Sequence, residues 1–295
     1  MKQYPVNFTA LANGETLAWR QGGSGEVIVF LHGNMSSSVH WQSSMEALEN
    51  DFSVFAPDLR GFGDSTYVNK FDSLLELAQD VKMLLDAQKI DKFSVVGWST
   101  GGGIALELAA LMPDAVKKVF LLNSVALTGY PMFKKDAQGK PVLTDPILTK
   151  DDIASDPVQV MPVLNAYAKG DKNTMRAIWN GIIYNMNQPP EAAYELYLEA
   201  MLKQRNLVDV NYSLMTFNMT DSPTMWAEGS GRMSGVKCPI VVLQGEKDIV
   251  VPPIWANQIA EAFGSQAKLI TFPNAGHSPI TDDFDGFINA IKANI

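Results

Sequence analysis

Gly97-Trp98-Ser99-Thr100-Gly101 is the segment of this chain with the clearest chemistry. It follows an apolar run, Lys92–Gly97 (KFSVVG), and opens a Gly- and Ala-rich stretch, Thr100–Met112, of helical composition. A strand, a sharp turn and a helix form the setting in which the serine of a G-x-S-x-G nucleophile elbow can react. Such a turn lifts the Ser99 hydroxyl out at the carboxyl end of the strand. Small neighbours (Gly97, Gly101, Gly102 and Gly103) permit the tight passage, and N–H groups at the helix start face the reacting carbonyl. A serine hydroxyl attacks slowly unless a base takes its proton. Any histidine base must be His32, His40 or His277, the only three in the chain.

The elements around this turn predict the scaffold that positions it. Buried strands are expected at Glu26–Leu31, Phe52–Leu59, Lys92–Gly97 and Val119–Leu122. Helical spacing separates them at Trp41–Leu48, Phe71–Lys89 and Thr100–Met112. Strands alternating with helices imply right-handed crossovers and a mostly parallel sheet. From Thr128 to Gly235 the pattern changes to helices and loops, with no convincing buried strand. Helices are predicted at Val158–Ala168, Asn173–Ile183, Glu191–Gln204 and Val208–Met219. Alternation resumes with strands Pro239–Leu243 and Lys268–Phe272 and helices Ile254–Phe263 and Asp283–Ala293. The expected organisation is an α/β core, residues 1–127 and 236–295, interrupted by an all-helical insertion, 128–235. That insertion holds 9 of the 14 methionines. They serve either as adaptable helix packing or as an apolar lid facing a substrate.

At this point the chain resembles the α/β-hydrolase family. Leu31-His32-Gly33-Asn34 is like the family's HG oxyanion loop, and Pro57–Ser65 (PDLRGFGDS) is like its PDxRGxGxS turn. Gly245-Glu246-Lys247-Asp248 with Pro252 looks like the strand end that carries the acid, and Gly276-His277-Ser278-Pro279 like the histidine loop. The order Ser, Asp, His is the chain order of this fold. The resemblance implies an α/β-hydrolase fold with a helical cap and a catalytic triad. Ser99 would be the nucleophile, His277 the general base and acid, and Asp248 the group that orients the imidazole. It also implies an oxyanion hole made by the backbone N–H groups of Asn34 and Thr100. Glu246 is the nearest competing acid, although the D-x-x-x-P spacing favours Asp248. His32, at a strand end, is expected to bond nearby backbone. His40, beside Trp41, is expected to start a helix, with lining of the pocket as the alternative. A histidine base implies that kcat/KM falls on acidification.

The leading expectation is a serine carboxylesterase acting on small to medium, largely apolar esters through an acyl-Ser99 intermediate. The insertion has 10 basic and 12 acidic side chains, which suits uncharged acyl chains. Haloalkane dehalogenases and epoxide hydrolases of this fold need an aspartate where Ser99 stands. A lactonase, for example on acyl-homoserine lactones, a cofactor-free haloperoxidase or perhydrolase, and a triad-bearing small-molecule sensor stay open. So does an amidase or aminopeptidase, for which Glu195 or Glu199 could hold the substrate amine.

Composition bounds the partners. The chain has 295 residues, 46% of them hydrophobic, with a formal net charge of −9, which disfavours nucleic acid and anionic membrane surfaces. The single cysteine, Cys238, excludes an intrachain disulfide and any multi-cysteine metal site. No cofactor and no metal are expected. The opening residues have no apolar signal-peptide run, and no stretch suits a membrane span, so a cytoplasmic protein is expected. A homo-oligomer stays open.

Overall fold

The computed structural model describes residues 1–295. The chain begins with strands β1 (Asn7–Ala10), β2 (Thr16–Gly22) and β3 (Val27–Leu31), then helix α1 (Gln42–Leu48), β4 (Ser53–Pro57) and α2 (Leu74–Ala87). It continues through β5 (Phe93–Trp98), α3 (Thr100–Leu111) and β6 (Val116–Leu122). Next come a hairpin, β7 (Phe133–Lys135) and β8 (Pro141–Pro146), and helices α4 (Lys150–Ala154), α5 (Met161–Lys169), α6 (Lys172–Ile182), α7 (Glu191–Met201) and α8 (Leu207–Met215). The chain closes with β9 (Ile240–Gly245), α9 (Pro253–Phe263), β10 (Ala267–Phe272), α10 (Pro279–Asp282) and α11 (Phe284–Lys292).

Eight strands form one sheet in the order β1-β2-β4-β3-β5-β6-β9-β10. Only the β1–β2 and β2–β4 pairs are antiparallel. Side chains leave the central strands on alternate faces. Ile28, Phe30, Val96, Trp98, Phe120 and Leu122 enter one apolar cluster with Met45 of α1 and Phe287 of α11. Val29, Leu31, Val95, Val119 and Leu121 enter the other, with Val81 of α2 and Ile104 of α3. Strands buried on both faces need unbroken apolar runs, which is why β3, β5, β6 and β9 are legible in the sequence.

The first two strands are not predicted from the sequence. β1 is largely exposed at the sheet edge. Arg20 interrupts the apolar run of β2, yet it is buried beside Asp58, Nη1 to Oδ2 3.7 Å. That ion pair joins residues far apart in the chain and leaves no local pattern.

Between β6 and β9 the chain leaves the sheet. α5, α6 and α7 contribute Val163, Trp179, Tyr194 and Leu198 to the first apolar cluster. The all-helical reading of 128–235 requires one correction, the β7–β8 hairpin. Its strands are short and mostly exposed, so they lack a buried strand's apolar run. α7 also ends at Met201, three residues earlier than predicted, and α8 ends at Met215 rather than Met219. No helix is long and apolar enough to cross a membrane.

Candidate active site

Ser99 lies between β5 and α3 with φ 56° and ψ −118°, a backbone region that L residues rarely adopt. The surrounding close packing maintains this strain. A Cβ on Gly97 would overlap the Gly101 carbonyl, and one on Gly101 would overlap the carbonyls of Leu31 and His32. The Ser99 N–H donates to the Leu122 carbonyl at 2.9 Å, tying the turn to β6. The Ser99 side chain does not cap the helix that it begins.

The loop from β10 to α10 carries His277, which is buried. Trp98 Nε1 donates to the His277 carbonyl at 2.8 Å, and Asp282 Oδ2 accepts the Gly276 N–H at 2.8 Å. These bonds fix the loop from both sides. His277 Nδ1 lies 2.8 Å from Asp248 Oδ2. A carboxylate only accepts, so Nδ1 carries the proton and Nε2 has the free lone pair of a base.

Asp248 follows β9 and is buried. Its Oδ1 accepts the N–H groups of Val250 and Val251 at 2.8 and 2.9 Å. Its Oδ2 also accepts Asn123 Nδ2 at 2.5 Å. Burial by itself pushes this carboxyl up. The His277 charge and the hydrogen bonds from His277, Asn123 and Val251 outweigh burial and hold it below the ordinary carboxylate value. These contacts favour the carboxylate form of Asp248 beside His277.

Gly33, Asn34, Ser99, Thr100 and His277 line one cavity of about 530 Å³. Three segments distant in sequence thus meet at this cavity, while Asp248 reaches it only through His277. The Asn34 and Thr100 backbone N–H groups form no hydrogen bond inside the chain. No Asp, Glu, Lys or Arg lines the cavity. Its walls include Trp98, Val163, Ile178, Trp179, Leu207 and Leu214. Of the nine methionines in 128–235, only Met132 lines it. Met175, Met201, Met215 and Met219 are buried as packing instead. Glu195 and Glu199 are outside the cavity wall, held by Lys172 at 3.0 and 2.9 Å.

The other two histidines have different surroundings. His32 Nδ1 donates to the Gly33 carbonyl at 2.9 Å, and its Nε2 accepts the Leu59 N–H at 3.0 Å, so both nitrogens are used by backbone. His40 does not line the cavity. It belongs to a short 3₁₀ turn, Ser38–Trp41, and its Nδ1 accepts the Ser37 N–H. Its ring stacks on Tyr197 of α7 at 4.4 Å and tilts against Trp179 of α6 at 5.4 Å. Burial, with a smaller contribution from His32, lowers its pKa to about 3.

Between the ordinary histidine value of about 6.5 and about 3, the unfolded chain binds a proton at His40 that the folded chain does not. Stability is therefore lost as pH falls through this window, by up to about 1.4 kcal/mol per pH unit from this group. Urea unfolding at pH 6.5, 6.0, 5.5 and 5.0, where most carboxylates stay charged, is the check. His40→Gln should flatten the slope by roughly one proton.

Asn123 and Gln204, which the sequence did not single out, hydrogen-bond to candidate site residues, Asn123 to Asp248 and Gln204 to Asn34. Asn123 directly follows β6, has φ 44° and donates to Asp248. An Asn directly after the apolar run VFLL was the available signal, since Asn tolerates a left-handed turn. Gln204 carries no such signal.

A family model described as "alpha/beta hydrolase fold" matches residues 26–284. The chain is 26% identical over 275 residues to the pimeloyl-[acyl-carrier protein] methyl ester esterase of Nitrosomonas europaea, covering 92% of this chain and 96% of that protein. Among solved structures it is similar to an esterase from Exiguobacterium antarcticum, with TM-score 0.73, 18% identity and 97% of each chain covered. The enol-lactonase from Burkholderia xenovorans also gives TM-score 0.73, at 20% identity over 97% of this chain and 98% of that one. At these identities the structural likeness speaks for fold alone.

Proposed function

The chain belongs to the alpha/beta hydrolase fold family, and from that premise we propose that it is a serine carboxylesterase with Ser99, His277 and Asp248 as its triad. One observation carries this reading. Ser99 and His277 line the same cavity, which has no charged wall residue, and His277 is bonded to the buried Asp248. In the proposed cycle His277 Nε2 takes the Ser99 proton as Oγ attacks the ester carbonyl carbon. The tetrahedral oxyanion is held by the N–H groups of Asn34 and Thr100, both free of other partners. His277 returns the proton to the departing alcohol. Water, activated by the same imidazole, then releases the acid from acyl-Ser99. No cofactor or metal is needed in this cycle.

Residues 128–235 serve as the cap in this reading, and 1–127 with 236–295 as the catalytic core. The insertion supplies apolar wall residues, which suits uncharged acyl groups. A lactone is an ester closed into a ring, and the same steps would open it. The amidase reading loses its support, because Glu195 and Glu199 are paired with Lys172 and lie off the cavity wall.

Turnover of p-nitrophenyl esters from acetate to laurate tests the proposal. The expected result is serine-dependent turnover with an optimum at intermediate acyl length, set by a cavity of about 530 Å³. Folded protein that turns over no member of the series would overturn the ester reading.

A further inference from the structure

Gln204 lies in the turn between α7 and α8 and is only 3% exposed. Its amide uses all four of its hydrogen-bonding positions. Oε1 accepts the Met35 N–H at 3.0 Å and the Tyr167 hydroxyl at 2.9 Å. Nε2 donates to Asn34 Oδ1 at 2.8 Å and to Asn206 Oδ1 at 2.8 Å. The Met35 N–H can only donate, so it settles which end of the amide is which.

Two of these bonds fall on the loop that carries the Asn34 N–H. Asn34 Oδ1 also accepts the Met35 N–H at 2.9 Å, closing a small ring of bonds between Asn34, Met35 and Gln204. Met35 has φ 56°, a left-handed conformation that a non-glycine residue keeps only when its surroundings impose it. Gln204 itself does not line the cavity that Ser99 and His277 share. Whatever it contributes to the reaction must pass through the loop.

We propose that Gln204 is a positioning residue: it holds the Asn34–Met35 turn so that the Asn34 N–H is aimed at the developing oxyanion. This rests on the esterase reading and deepens it. The residue comes from the inserted segment, so the donor pair is complete only while that segment is seated on the core. An oxyanion donor acts in the transition state and hardly touches the bound ester. Displacing it should therefore lower kcat and leave KM nearly unchanged.

Gln204→Leu preserves bulk and removes all four bonds. Gln204→Glu retains acceptors for Met35 and Tyr167 but cannot, as a carboxylate, donate to Asn34. Each is measured against wild type with a p-nitrophenyl ester, per active site titrated by a fluorophosphonate. Inhibition by a trifluoromethyl ketone, which forms a tetrahedral oxyanion, is measured alongside. In both variants kcat per titrated site is expected to fall about 10- to 100-fold, with KM within threefold. Ketone affinity should weaken by a similar factor. Asn34→Ala should show the same pattern, and Asn34→Ala with Gln204→Leu should lose little more than the worse single variant.

A fall in the titrated fraction alone, with kcat per site within twofold of wild type, would overturn the positioning role. So would fully additive losses in the double variant. If Gln204→Leu does not fold, Gln204→Glu decides alone. Ester turnover abolished by Ser99→Ala establishes the underlying reading separately. Turnover that needs Ser99 but ignores Gln204 sinks this inference only, whereas wild type without turnover sinks both.

Discussion

Ser99→Ala should reduce kcat for p-nitrophenyl esters by a factor on the order of 10⁶, the usual size of the loss when a triad serine is removed. The covalent route disappears with the hydroxyl, and His277 is left with no nucleophile at the elbow to activate. A residual rate above that in water is expected, since the proposed oxyanion donors, the Asn34 and Thr100 N–H groups, remain in the variant. Stability should stay within about 1 kcal/mol of wild type, because the Ser99 side chain does not cap α3. Rates from purified variant, with matched thermal melts, check both statements. A loss below tenfold would remove Ser99 from the nucleophile role.

Asp248→Asn is expected to cost about 10⁴ in kcat, by changing a proton position rather than a shape. Asp248 accepts hydrogen bonds on both oxygens and donates none: Val250 and Val251 on Oδ1, His277 and Asn123 on Oδ2. An asparagine must direct its NH₂ group at one of those sets of donors. Facing His277, it favours the tautomer with the proton on Nε2, and the base is lost. Facing Val250 and Val251, it leaves their N–H groups, the Val251 one buried, without an acceptor, at a stability cost of about 1–3 kcal/mol. Either way the anion that stabilises the imidazolium is gone. The check is kcat against pH for the variant, with chemical unfolding measured in parallel. Full activity would mean that another carboxylate orients His277, and Glu246 would be examined first.

The candidate site residues were more legible in the sequence than the residues that support them. Ser99, Asp248 and His277 each lie in a turn-rich stretch that follows a sheet strand, so short motifs mark them. The central strands are legible because both of their faces are buried. β1 and the β7–β8 hairpin are exposed and follow no such pattern. Asn123 and Gln204 act on residues more than 100 positions away, Asn123 on Asp248 and Gln204 on Asn34. For Gln204 nothing local marks it out, and for Asn123 the only local signal is its place directly after the apolar run VFLL. The methionine-rich insertion does line the cavity, but mainly with branched and aromatic side chains rather than with its methionines.

The central claim is that Ser99 becomes acylated, and covalent labelling reaches it most directly. Protein treated with a fluorophosphonate, digested and sequenced by mass spectrometry should carry one adduct per chain, on Ser99. Labelling should follow the loss of ester turnover and disappear in Ser99→Ala. An adduct on another residue, or ester turnover undiminished in protein fully labelled at Ser99, would contradict the claim.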